Sequence, residues 1–316
     1  MRIVCLDIES LGPVKNLYLL EQHGTVRYFD NTEPDERLEH IGDADIIVTN
    51  KVRIDRAIMD ACPSLKLICV AATGTNTIDL VAAGEKGIGV KNVAGYSTES
   101  VTQITFAILL SLMCHIEYFD RYVRSGGYAA SRSFTHYGRT FQELSGKQFG
   151  IIGLGAIGRR VAEVASAFGA SPVYYSTSGK NLNGPYPRLE LDDLLRTSDV
   201  VSIHAPLNEH TRDLLNYSRI ALMKPTAYLL NVGRGHIINE EDLARALDEE
   251  LIAGAGLDVH SREPIKADNP LLTIRNRERL IQTPHIAWIS DEARTLLVEK
   301  VAENISTFLR NLASAD

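Results

Sequence analysis

Cysteine is scarce in this chain: Cys5, Cys62, Cys69 and Cys114 are the only four in 316 residues, and no two form a C-x-x-C pair. Each has mainly apolar neighbours, so buried free thiols are expected rather than a disulfide framework or a dithiol redox site. No H-E-x-x-H pattern or Cys/His ligand spacing occurs, which removes the usual grounds for a metal site. Long hydrophobic runs are missing too. The most apolar stretch, "QITFAILLSLMCHI" at 103–116, falls short of the ~20 residues a helix needs to span a bilayer. "MRIVCLDIES" opens the chain without a charged leader and reads as a strand rather than a signal peptide. There is no excess of positive charge either: 33 basic against 40 acidic residues leave a net −7. That disfavours nucleic acid or an anionic membrane as a partner and leaves room for a local basic pocket for a small anion. A soluble, cytoplasmic protein is expected.

What is present is alternation. "RIVCLDI", "ADIIVTN", "LKLICVAATG" and "IGVKNV" read as strands, bounded by Gly, Asn, Asp and Pro, with helical patterns between them. One long apolar helix is predicted from Ser97 to about Arg124, capped by Ser97 or Thr98 and stopped at "SGG". A polar, aromatic loop follows, and then a second series of strands: "QFGIIGLG", "SPVYYST", "DVVSIHAPL", "AYLLNVGRG", "AGAGLDVH" and "RLIQTPHI". Among its helices, "NEEDLARALDEELIAG" is the clearest, with an acidic first turn and a glycine stop. Two α/β series imply two doubly wound parallel sheets. A last helix at about 290–313 follows the second series and is placed with the first domain. The predicted domains are therefore 1–98 with 290–316, and 99–289.

"GLGAIG" supplies Gly153, Gly155 and Gly158 between a strand and a helix. In that context the first glycine makes a tight turn, the second admits a pyrophosphate, and the third lets helix pack on strand. The phosphates would lie at the helix N-terminus. A ribose-binding acid belongs ~20 residues further on, yet no Asp or Glu occurs from Val164 to Leu189. Ser176, Thr177 and Ser178 stand there instead, with Lys180 and Arg188 as nearby cations. Without an acid nothing repels a 2′-phosphate, so NADP is expected, alone or alongside NAD; a neutral pocket that takes NAD is the alternative.

Three polar residues follow strands of the second series: Arg234 in "NVGRGHII", Glu263 in "GLDVHSREP" and His285 in "TPHIAW". Loops after strand carboxyl ends line the ligand crevice of a doubly wound sheet. An arginine grips a carboxylate bidentately, and a histidine beside a carboxylate is a general acid/base. Taken singly each has a plainer reading, as a turn anchor, a solvated glutamate or a buried histidine.

Together with "ATGTNTIDL" (72–80), "SDVVSIHAPLNEHTRDLLN" (198–216) and "MKPTAYLLNVGRG" (223–235), these stretches resemble the D-isomer-specific 2-hydroxyacid dehydrogenase family over essentially the whole chain. The resemblance implies a Rossmann dinucleotide-binding domain inserted in a discontinuous, flavodoxin-like substrate domain. It also implies that Arg234 orients the substrate, that His285 protonates the keto oxygen and that Glu263 holds the imidazole. Backbone around Ala72, Thr73 and Gly74 would receive the substrate carboxylate. Ala156 and Ile157 would join the glycines along the pyrophosphate, Ala205, Pro206, Val232 and Gly233 would line the cofactor, and Asp258 would bond the nicotinamide carboxamide. His260, Gln103 and Ala72 depart from common family patterns, where phenylalanine, glutamate and glycine are frequent.

Within the family the first domain is most similar to glycerate dehydrogenases, also called hydroxypyruvate reductases, in "AATGTN" and "NVAGYSTESVTQ"; the reaction so implied is reduction of a small 2-keto acid, hydroxypyruvate or glyoxylate favoured, to the D-2-hydroxy acid. A D-lactate- or phosphite-directed dehydrogenase of the same family and a non-catalytic dinucleotide sensor are the alternatives. The family's usual homodimer is expected, with loop 126–142 at the subunit contact or simply at the surface.

Overall fold

A computed structural model describes residues 1–181 and 183–314. The chain divides into two compact units, residues 1–97 together with those from Trp288 onward, and Thr98–Ala287.

The first unit is built on five strands: β1 (Arg2–Cys5), β2 (Thr25–Tyr28), β3 (Ile46–Thr49), β4 (Leu67–Val70) and β5 (Gly89–Asn92). They pair in the order β2-β1-β3-β4-β5, all parallel. Parallel strands covered on both faces read as unbroken apolar runs, and alternate residues here feed two cores. Val4, Ile47 and Ile68 pack on one side, and Ile3, Ile46 and Leu67 on the other. The helix Asp291–Ala313 completes the second core with Leu297, Val301 and Ile305. Buried Arg294 ties this helix down by donating to the carbonyls of Leu11 and Pro13, each at 3.3 Å. The sequence reading missed β2. Its "TVRY" is a half-exposed edge strand, so it lacks the apolar run that marks its neighbours.

Six strands form the second unit: β6 (Gln148–Ile152), β7 (Ser171–Tyr175), β8 (Val200–Ile203), β9 (Tyr228–Asn231), β10 (Gly254–Leu257) and β11 (Leu280–Gln282). Their order is β11-β10-β9-β8-β6-β7, again all parallel. The chain leaves β6 toward one edge and returns to β8 on its other side, which opens a switch point beside β6, where doubly wound sheets bind ligands. Small residues in β10 are needed for packing. A Cβ on Gly256 would lie 2.2 Å from Cγ2 of Ile108, on the helix that crosses the sheet.

Two helical predictions need correcting. The long helix is two, Thr98–Met113 and Ile116–Arg124, bent by 62° at a break. His115 there adopts φ +52°, a left-handed conformation that ends a helix without glycine or proline to announce it. The helix Glu240–Asp248 also stops before the predicted glycine; Glu250 takes the left-handed turn at φ +59°, and Gly254 begins β10 instead. No single helix among the described residues is long and apolar enough to cross a membrane. The loop after Arg124 is pinned to its own unit, through His136 stacked on Tyr122 at 3.7 Å and an Arg139–Glu278 ion pair at 2.9 Å. Even so, it leaves the rings of Phe134, Tyr137 and Phe141 exposed.

Candidate active site

The carboxyl edge of the six-stranded sheet carries almost every residue singled out in the sequence. After β6 the three glycines of the fingerprint meet different surroundings. Gly153 has φ +96°, and a Cβ on it would press on the His204 carbonyl at 2.9 Å. A Cβ on Gly158 would meet the Gly153 carbonyl oxygen at 2.2 Å, so helix and turn interlock only without a side chain. Gly155 differs: a Cβ there would meet nothing within 4 Å. Its neighbourhood is open, and as N-cap of the helix Ala156–Ala167 it brings no side-chain oxygen to the first-turn amides. Those amides remain available to an anion.

Ser176, Thr177 and Ser178 follow β7. Ser176 is buried, and its hydroxyl has no hydrogen-bond partner within the protein. A buried orphan hydroxyl is costly unless a ligand or water completes it. Lys180 is exposed nearby. Arg188 is turned to Glu190, at 3.2 Å, so the second cation of the sequence reading is already engaged. With the open cradle at Gly155, this orphan hydroxyl fits a dinucleotide laid across the switch point. After β8 come Ala205, buried, and Pro206, exposed. Sequence reasoning passed over His204 beside them. Its Nε2 lies 2.8 Å from the wholly buried Ser202 hydroxyl, and its Nδ1 is buried without a partner. Burial pushes the imidazole well below its ordinary value, to about 3.

Arg234 ends the turn after β9. Buried Asn231 builds that turn, donating to the Arg234 carbonyl at 2.9 Å and accepting from the Gly233 amide at 3.1 Å. The chain passes so close to the loop after β10 that a Cβ on Gly235 would overlap the His260 carbonyl, 1.9 Å away. Val232 is buried beside this turn. In the loop after β10, Glu263 is held by the His260 amide, which donates to its Oε1 at 3.0 Å. The other oxygen, Oε2, lies 2.7 Å from Nδ1 of His285, which follows β11. His285 itself adopts φ +56°.

Arg234, Glu263 and His285, drawn from the ends of three strands, thus line one pocket of about 170 Å³, together with Leu207, His236 and His260. A carboxylate at Nδ1 fixes the imidazole's orientation, which leaves Nε2 as the nitrogen for proton transfer. Arg234 adds a fixed positive charge. Such a pocket can hold a small carboxylate and pass a proton to an oxygen beside it.

Asp258, directly after β10, is wholly buried, with its carboxylate bonded to the segment that carries His285. Ala72, Thr73 and Gly74 lie on the other unit, in the loop after β4. The Val93 amide donates to the Ala72 carbonyl at 3.0 Å, and the Asn92 side chain donates to the Thr73 carbonyl at 2.6 Å. Among the described residues no cluster of three or more His, Cys, Asp or Glu could hold a metal ion.

Residues 106–287 match the family described as D-isomer specific 2-hydroxyacid dehydrogenase, NAD binding domain. The hydroxypyruvate reductase of Blautia hydrogenotrophica is 39% identical, over 98% of this chain and 97% of its own. Among solved structures, an acyclic imino acid reductase (Bsp5) in complex with NADPH and D-Arg superposes with a TM-score of 0.88 at 28% identity, covering 98% of each chain. The D-lactate dehydrogenase of Aquifex aeolicus, complexed with NAD and lactic acid, gives 0.84 at 26% identity, over 98% of this chain and 96% of that one.

Proposed function

This chain belongs to the D-isomer-specific 2-hydroxyacid dehydrogenase family, and from that premise we propose that it reduces a small 2-keto acid, hydroxypyruvate or glyoxylate, to the D-2-hydroxy acid. The observation that carries the proposal is the 2.7 Å contact between Nδ1 of His285 and Glu263 in a pocket that Arg234 also lines. A reduced nicotinamide, when bound, supplies the hydride to the keto carbon. The chain's own residues do the rest. Arg234 pairs with the substrate's carboxylate and carbonyl, and it opposes the negative charge that grows on the oxygen. Glu263 holds the imidazole in place, and His285 delivers a proton from Nε2 to the keto oxygen.

Gly153, Gly155, Ala156, Ile157 and Gly158 would hold the pyrophosphate, with Ala205, Pro206, Val232 and Gly233 along the cofactor's length. The Ser176 hydroxyl, Thr177, Ser178 and Lys180 would take a 2′-phosphate, which makes NADP the preferred carrier. The hydroxypyruvate reductase among the relatives and the NADPH-bound imino acid reductase among the structural neighbours support this reading. The rings of Phe134, Tyr137 and Phe141, exposed on a loop otherwise tied down, support a homodimer formed through that loop.

Initial rates of hydroxypyruvate and glyoxylate reduction, with NADH and with NADPH, test the activity. Turnover with NADPH, alone or alongside NADH, is expected. Turnover only with NADH would remove the phosphate assignment, and none with either acid would remove the substrate assignment.

A further inference from the structure

Building on that catalytic reading, we propose that Asp258 is the positioning residue for His285, its buried carboxylate setting the turn that aims the imidazole. Three donors converge on it. Oδ1 accepts from the Thr283 hydroxyl at 2.5 Å and from the Ile286 amide at 2.8 Å, and Oδ2 accepts from the Ala287 amide at 2.8 Å. These donors bracket His285 on both sides, two residues before it and directly after it. The side chain between them stands at φ +56°, in the left-handed region that a non-glycine residue keeps only where its surroundings impose it. A further bond, from the His285 amide to the Thr283 carbonyl at 3.0 Å, tightens the same turn.

The chemistry of the group matches the task. An ionised carboxylate only accepts, so it can take two amides and a hydroxyl at once. An asparagine would present two hydrogens to a site already filled with donors. Asp258 is also fixed from behind: its own amide donates to the Asn231 carbonyl at 2.9 Å, and Asn231 builds the turn that carries Arg234. One buried acid thus links the turns of two residues lining the pocket. The resemblance alone assigns Asp258 to the nicotinamide carboxamide, and the two roles predict different losses.

Asp258→Asn and Thr283→Val separate them. Three quantities are measured: turnover with hydroxypyruvate, NADPH affinity by fluorescence titration, and the histidine Nδ1–H resonances of the ligand-free protein labelled with ¹⁵N-histidine. In wild type, His285 should give a downfield, exchange-protected Nδ1–H signal from its bond to Glu263. Asp258→Asn is expected to abolish that signal and to lower kcat by about 10²-fold, the scale of a misplaced catalytic group. NADPH affinity should stay within about threefold, because nothing at the pyrophosphate changes. Thr283→Val keeps the carboxylate and removes one donor, so it should weaken the signal and lower kcat by roughly tenfold or less. An unaltered signal in a folded Asp258→Asn protein, or NADPH affinity falling as steeply as kcat, would overturn the assignment in favour of a cofactor contact. If Asp258→Asn does not fold, Thr283→Val decides on the same criteria. The resonance requires no turnover, so a wild type inactive on both keto acids would refute the substrate reading and leave this one to be judged by the spectrum.

Discussion

Replacing His204 by phenylalanine should make the protein less sensitive to acid. The imidazole bonds a buried serine through one nitrogen and has the other sealed without a partner, and burial holds it near 3 instead of the ordinary 6.5. In the unfolded chain the same ring takes a proton as the pH falls through 6.5. Between 6.5 and about 3 the unfolded state therefore binds more protons than the folded one, and stability declines as the pH drops. At pH 5 the difference comes to about 2 kcal/mol for this one group, as an upper figure because part of the residue reaches the surface. Phenylalanine removes the titration. It also leaves the Ser202 hydroxyl unpaired, at a cost of about 1–3 kcal/mol that does not change with pH. Denaturant unfolding of both proteins at pH 7.5 and pH 5 should show the variant less stable at the higher pH, with the gap narrowed by about 2 kcal/mol at the lower. Histidine Cε1–Hε1 resonances supply a direct check, the His204 signal being the one missing from the variant. A gap that does not change with pH, or a His204 signal titrating near 6.5, would refute the reasoning.

Gly155→Ala should fold with a melting temperature within about 2 °C of wild type, since its Cβ enters open space, and raise the KM for NADPH about tenfold or more by crowding the pyrophosphate. Gly158→Ala should fail in a different way, with loss of soluble folded protein, because its Cβ must displace backbone 2.2 Å away; equal behaviour of the two variants in thermal melts and cofactor titrations would contradict the division of roles. His285→Gln should cut kcat by about 10²–10⁴-fold, the range of a general acid, with little change in cofactor affinity. Ser176→Asp should move the ratio of kcat/KM values toward NADH, since a carboxylate repels a 2′-phosphate and accepts ribose hydroxyls. An unmoved ratio would place the ribose pocket elsewhere.

The parts of the site readable in the sequence are those whose role is imposed on the backbone or announced by charge after a strand. Gly153 is needed for its left-handed φ and close approach, and Gly158 for its contact distance, so the G-x-G-x-x-G spacing gave them away. Arg234, Glu263 and His285 follow strands of a sheet legible from its apolar runs. Edge strand β2 escaped because only half of its residues are covered, which erases the run. The break at His115 escaped because the helix ends in a left-handed histidine where no glycine or proline stands. His204 and the three bonds of Asp258 depend on which atoms are sealed from water and on donors more than 20 residues away. No local pattern carries that information.

The two units also differ in when a ribosome could finish them. Every strand of the six-stranded sheet comes from one continuous stretch, so that half can close as soon as residue 287 clears the exit tunnel. The other half cannot. Leu297, Val301 and Ile305 fill one face of its sheet, yet they are made only after residues 98–287, roughly 10–40 s later at ~5–20 residues per second. For that interval Ile3, Ile46 and Leu67 lack the side chains that cover them in the finished protein. A nascent chain of this design exposes the earlier-made part of that unit to chaperones the longest, and the helix Asp291–Ala313 ends that exposure.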